Sequence, residues 1–89
     1  MVEALIMAVS IDNRPDVELV LKKGAEINGT NSIGRTALHI AAKQNHLEMA
    51  KFLLSRGADI TARDRSGKIP YDYAKEWVNI PELAQTLKP

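Results

Sequence analysis

The chain has 89 residues, no cysteine and a formal net charge of +1, which leaves room for one domain. It excludes a disulfide framework, thiolate metal centres and cysteine nucleophiles. It also gives no bulk electrostatic drive towards nucleic acid or a membrane surface. Hydrophobic residues make up 45% and charged residues 26%, a globular rather than a disordered balance. One Phe, two Tyr and one Trp point to a core of Ala, Leu, Ile and Val. No stretch approaches the roughly 18–20 apolar residues of a membrane span.

The N-terminal run MVEALIMAVS lacks a basic segment and is interrupted by Glu3, so it reads as a helix near Val2–Ser10 and not as a signal peptide. A second helix follows near Pro15–Lys23, with Pro15 in its first turn. Gly24 ends it, and NGTNSIG forms a hairpin. Thr36 is a good N-cap for the next helix, whose Leu38, Ala41 and Ala42 share one face. Asn45 can take a left-handed conformation and stop it. A fourth helix near Leu47–Ser55 carries Leu47, Ala50, Phe52, Leu53 and Leu54, and Gly57 terminates it. Ile60 is expected in an extended segment and Gly67 at a hairpin. A further helix follows Pro70 and includes Tyr73, Lys75 and Trp77. Pro81 opens the last one, with Ala74, Ile80, Leu83 and Leu87 inward and Gln85, Thr86 and Lys88 as a polar terminal face.

The sequence repeats. Shifted by 33 positions it matches itself at Ala4/Ala37, Leu5/Leu38, Ala8/Ala41, Leu21/Leu54, Gly24/Gly57, Ala25/Ala58, Ile27/Ile60, Gly34/Gly67, Ala41/Ala74 and Leu54/Leu87. Chance would give about three or four such identities. The matches fall on residue types that set packing and turns.

The central copy, GRTALHIAAKQNHLEMAKFLLSRGADITARD from Gly34 to Asp64, resembles the ankyrin repeat, whose period is also 33. Ala37 stands in place of the usual Pro, Asn45 of the usual Gly and Thr61 of the usual Asn. The resemblance implies an all-α repeat, an ankyrin solenoid of stacked helix–turn–helix units joined by β-hairpin loops. The chain is then one domain, 1–89, with repeats at approximately 1–33, 34–66 and 67–89. One copy is complete and two are terminal.

The same resemblance implies a protein–protein interaction module, an adaptor or inhibitor. The alternative is a minimal or truncated stack, from a larger or engineered protein, with a mainly structural role. In ankyrin proteins the hairpin tips and the exposed face of each first helix line the concave partner surface. Carried over, that surface comprises Ile33, Arg35, Ile40, Lys43, Gln44, Arg63, Arg65, Ser66, Lys68, Tyr73 and Trp77. Its arginines and lysines suit an acidic or mixed segment of another protein. Charge +1 does not suit nucleic acid. Leu5, Ile6, Met7 and Val9, clustered without a polar cap, give a monomer or weak self-association through the first repeat.

No residue pattern points to an enzyme, a metal or a cofactor. His39 and His46 lack carboxylates at ligand spacing, and the resemblance makes them structural, bonded to backbone and neighbouring repeats. Ser32, Ser55 and Ser66 sit in no nucleophile elbow, and Gly24, Gly34, Gly57 and Gly67 form no phosphate loop. Glu48, Asp59 and Asp64 read as solvated charges or as turn residues bonding nearby amides. Asn28 matches the hairpin position that asparaginyl hydroxylases modify in some animal ankyrin proteins, with Val20 where those sites carry Leu. The lack of cysteine sets the expected compartment as cytoplasmic or nuclear.

Overall fold

The computed structural model describes residues 1–89 and contains six helices: α1 (Val2–Ser10), α2 (Arg14–Lys22), α3 (Ala37–Lys43), α4 (Leu47–Ser55), α5 (Pro70–Ala74) and α6 (Pro81–Leu87). They pair as α1/α2, α3/α4 and α5/α6. The first helices stack as α1, α3 and α5, while α4 packs on α6 behind them. The stack measures 35 × 25 × 20 Å. Every helix is short, so the fold depends on stacking and not on isolated helix stability.

Small residues set the spacing of the layers. Ala37, Ala41, Ala42, Ala50 and Ala74 are fully buried, and Leu5, Leu38, Met49, Leu53, Leu83 and Leu87 fill the volume between them. Alanine at the crossing points lets neighbouring helices approach closely. Ala74, Leu83 and Leu87 are buried as expected, Ile80 is partly so, and Gln85 and Lys88 face solvent. No helix is long and apolar enough to cross a membrane.

The helix ends follow local chemistry. Asn13 Oδ1 accepts from the Asp16 amide at 3.2 Å, so α2 begins at Arg14, one residue before Pro15, and Lys23 is its C-cap. Asn45 does adopt φ 62°, and Asp12, one period earlier, adopts φ 58°. The loops between copies are hairpin turns without a strand ladder. Asn31 N–H donates to the Arg35 carbonyl at 3.0 Å, and Asp64 N–H to that of Lys68 at 2.9 Å. Ile60 lies in a turn and not in an extended segment, because Asp59 Oδ1 accepts from the Thr61 amide at 2.8 Å and from its hydroxyl at 2.6 Å.

Helix α5 is shorter than the sequence suggests. It ends at Ala74, with Lys75 as its C-cap, so Lys75 and Trp77 lie beyond it. Trp77 N–H donates to the Ala74 carbonyl at 3.1 Å, an i→i−3 bond of a tightened final turn. The indole Nε1–H donates to the Ala42 carbonyl at 3.1 Å, near the C-terminal end of α3, where helix carbonyls lack intrahelical partners.

Candidate protein-binding surface

The two hairpins and the first helices are held together by a buried polar network. At the start of α3, Thr36 N–H donates to His39 Nδ1 at 3.1 Å, and His39 N–H reaches Thr36 Oγ1 at 3.4 Å. With Nδ1 accepting, Nε2 carries the hydrogen and meets the Lys68 carbonyl at 2.8 Å. His39 therefore ties the second copy to the hairpin that opens the third. His46 does the same backwards: its Nε2 lies 3.2 Å from the Ser10 carbonyl in the first copy. Both histidines are structural. Asn28 also spans copies, accepting from the Asp59 amide at 2.8 Å and donating to the Gly57 carbonyl at 3.3 Å.

Asp64 is the centre of the second hairpin. It is buried, which corrects the reading of it as a solvated charge, while its alternative reading as a turn residue holds. Its Oδ1 accepts from the amides of Ser66 at 2.9 Å and Lys68 at 3.0 Å, and its Oδ2 accepts from the Tyr73 hydroxyl. Burial pushes the carboxyl up, but the Tyr73 hydroxyl and the two amides outweigh it and hold the pKa at about 2. Burial first, and then Asp64, raise the Tyr73 phenol above its ordinary value.

Arg35 lies over this pair. Its Nη2 donates to the Tyr73 hydroxyl at 3.3 Å, and its Nε stands 3.6 Å from Asp64 Oδ2. That Nε is buried and makes no hydrogen bond. The guanidinium carbon is 5.2 Å from the Tyr73 ring centroid, as is Lys68 Nζ, and Lys43 Nζ is 6.0 Å away. Cations near an aromatic face are attracted by its quadrupole.

Of the eleven residues expected on the partner surface, six line one open cleft of about 460 Å³: Arg35, Lys43, Ser66, Lys68, Tyr73 and Trp77. Glu76 completes its lining. Sequence reasoning missed Glu76, which becomes visible once α5 is known to end at Ala74. Tyr73 is only 7% exposed and Ile40 9%. Tyr73 therefore contributes an edge to the cleft floor, and Ile40 belongs to the core. Gln44 is directed to the first copy, where Nε2 donates to Ser10 Oγ at 3.0 Å. Arg63 Nη1 donates to the Gly67 carbonyl at 3.0 Å. Arg65 N–H donates to the Ile33 carbonyl at 3.1 Å, joining successive hairpins. Ile33, Arg63 and Arg65 are exposed at the tips, outside the cleft.

A second, apolar groove lies at the other end of the stack, lined chiefly by Ala4, Met7, Ala8, Ile11, Leu19 and Val20. Met7, Ile11 and Leu19 are exposed there. No group of three His, Cys, Asp or Glu side chains could hold a metal ion.

A family profile described as "Ankyrin repeats (many copies)" matches residues 20–74, well over half of the chain. The chain belongs to the ankyrin-repeat family. It is 50% identical over 50 residues to an ankyrin repeat protein of Fowlpox virus (strain NVSL), covering 56% of this chain and 27% of that protein. It is 39% identical over 69 residues to Protein phosphatase 1 regulatory subunit 27 of Homo sapiens, covering 78% of this chain and 45% of that one. An ankyrin repeat protein of Rickettsia bellii (strain RML369-C) is 39% identical over 57 residues, 64% of this chain and 34% of its own length. The chain thus spans about a quarter to under half of these relatives. Ankyrin repeats generally act as non-enzymatic protein–protein interaction modules, and they do so for many unrelated purposes.

Proposed function

We propose that the chain binds an acidic or mixed segment of a partner protein through its concave face, as an adaptor or inhibitor. The observation that carries this reading is the cleft between the second and third copies. It gathers Arg35, Lys43 and Lys68 from three separate elements around one aromatic ring. The bonds of His39 and Asp64 across the hairpin make the cleft a fixed surface, so little ordering entropy is lost when a partner docks. Trp77, 39% exposed, adds an aromatic of the kind that dominates interface energetics. Ile33, Arg63, Arg65 and Ser66 extend the surface along the hairpin tips, and Ile40, Gln44 and Tyr73 support it from beneath or beside.

The reading is tested by affinity capture from the native source with quantitative mass spectrometry. The baits are the unaltered chain, Lys43→Glu/Lys68→Glu and Arg63→Glu/Arg65→Glu. Partners lost from the first variant and reduced with the second support it. Partners retained in full by both variants sink the proposed surface.

The exposed Met7, Ile11 and Leu19 favour a second reading, weak self-association through the first repeat. Sedimentation equilibrium checks it: Leu19→Glu should shift a concentration-dependent mass to that of the monomer.

A further inference from the structure

The partner cleft is more cationic than an acidic side chain needs. Arg35, Lys43 and Lys68 line it with Glu76 as the one lining carboxylate, and Asp64 beneath Arg35 leaves the two lysines as its unpaired cations in a chain whose total charge is +1. Neither lysine ammonium has a carboxylate within 4.0 Å, and Arg35 meets only Asp64. Asp64 is already engaged by the Tyr73 hydroxyl and the Ser66 and Lys68 amides. Arg35 Nε makes no hydrogen bond. Like charges gathered this closely repel, and a bound dianion offsets that repulsion.

We propose that this cleft takes a phosphorylated serine or threonine of an extended partner segment, with the phosphoryl oxygens between Lys43 and Lys68 and the flanking residues along Trp77. The inference rests on the partner-binding reading. A phosphoryl group carries nearly two negative charges near neutral pH and three strong acceptor oxygens, matching the two unpaired ammonium groups of Lys43 and Lys68. A carboxylate supplies one charge and two oxygens. The Ser66 hydroxyl, exposed at the lip, supplies a neutral donor. The half-exposed indole favours a peptide neighbour over a free ion. The low total charge disfavours a nucleic-acid polyanion, which binds in proportion to the number of phosphates neutralised.

Trp77 is the only tryptophan and lines the cleft, so its emission reads occupancy directly. The probes are degenerate peptide pools with a fixed central phosphoserine, serine or aspartate, a single-stranded oligonucleotide and inorganic phosphate. Saturable binding of the phosphoserine pool, about tenfold tighter than the aspartate pool, is expected. Lys43→Gln/Lys68→Gln should remove that preference, and Lys51→Gln, on α4, should keep it. Equal affinity for the phosphoserine and serine pools, a preference that survives in the double variant, or an oligonucleotide or phosphate binding as tightly overturns the proposal. If no pool shifts the emission but a natively captured partner does, the phosphoryl assignment falls and the binding face stands. If that partner leaves Trp77 unchanged, both fall.

Discussion

Tyr73 donates its hydroxyl to the buried carboxylate of Asp64, and this contact joins the third copy's first helix to the hairpin that precedes it. The bond lies under the cleft, so it couples the stability of the stack to the shape of its proposed binding face. Tyr73→Phe keeps the ring that Arg35, Lys43 and Lys68 surround but removes the hydroxyl. A hydrogen bond to a charged group contributes about 1.5–3 kcal/mol, and we predict a loss in that range, measured by urea unfolding. The Asp64 pKa should rise in the same variant, because that hydroxyl is the largest influence holding it down.

Asp64 also sets an acid limb of stability. Its pKa is about 2 in the folded chain and near 3.9 in an unfolded one. Because the folded value is depressed, its contribution is complete above about pH 4 and lost as pH falls towards 2. The contribution is on the order of 2–3 kcal/mol. Asp64→Asn should be less stable than the parent at pH 7 by about that amount, and the two unfolding free energies should converge near pH 2. A constant difference across that window would exclude the carboxylate charge as its source.

Much of this was legible in the sequence, and the misses have physical causes. The 33-residue spacing of Ala, Leu and Gly is a direct imprint of stacking, so the helices and the buried alanines could be read from it, and the left-handed Asn45 from asparagine's tolerance of that conformation at a helix end. The fate of polar side chains could not. Asp64 has the same letter whether solvated or buried, and only the meeting of hairpin and α5 decides between them. Tyr73 and Trp77 are four apart, a spacing that would put both on one face of a continuous helix. The helix ends between them, so one ring is buried while the other remains at the surface. Periodicity says which residues face a neighbouring helix; it does not say which hydrogen bonds complete the cleft.

His39 clamps the hairpin from the other side through the Lys68 carbonyl at 2.8 Å. His39→Ala should cost about 2–4 kcal/mol, from a buried void and from the Thr36 N–H left without its acceptor. Native-state hydrogen exchange should show the hairpin amides of 64–68 losing protection first. Uniform loss across all helices would argue that His39 acts only through global stability.

Asn45 holds φ 62°, and its buried Oδ1 has no hydrogen-bond partner. Glycine adopts this conformation without steric cost. Asn45→Gly should therefore stabilise the chain by about 0.5–1 kcal/mol, seen as a higher urea midpoint at unchanged slope. Gly34→Ala is the converse. Its φ is +78°, and a Cβ there would stand 3.0 Å from the Arg65 amide nitrogen, the donor that links successive hairpins. A loss of about 1–3 kcal/mol is expected.

The central claim is that partners dock in the cleft between the second and third copies. Site-specific photo-crosslinking tests it most directly. A photoreactive phenylalanine analogue is placed at Ser66 on the cleft lip, or at Ile11 on the apolar groove at the far end of the stack. Partner adducts from position 66, absent from position 11 and lost when Lys43→Glu/Lys68→Glu is added, are the result expected. Partner adducts from position 11 with none from position 66 would contradict it and move the binding face to the first repeat.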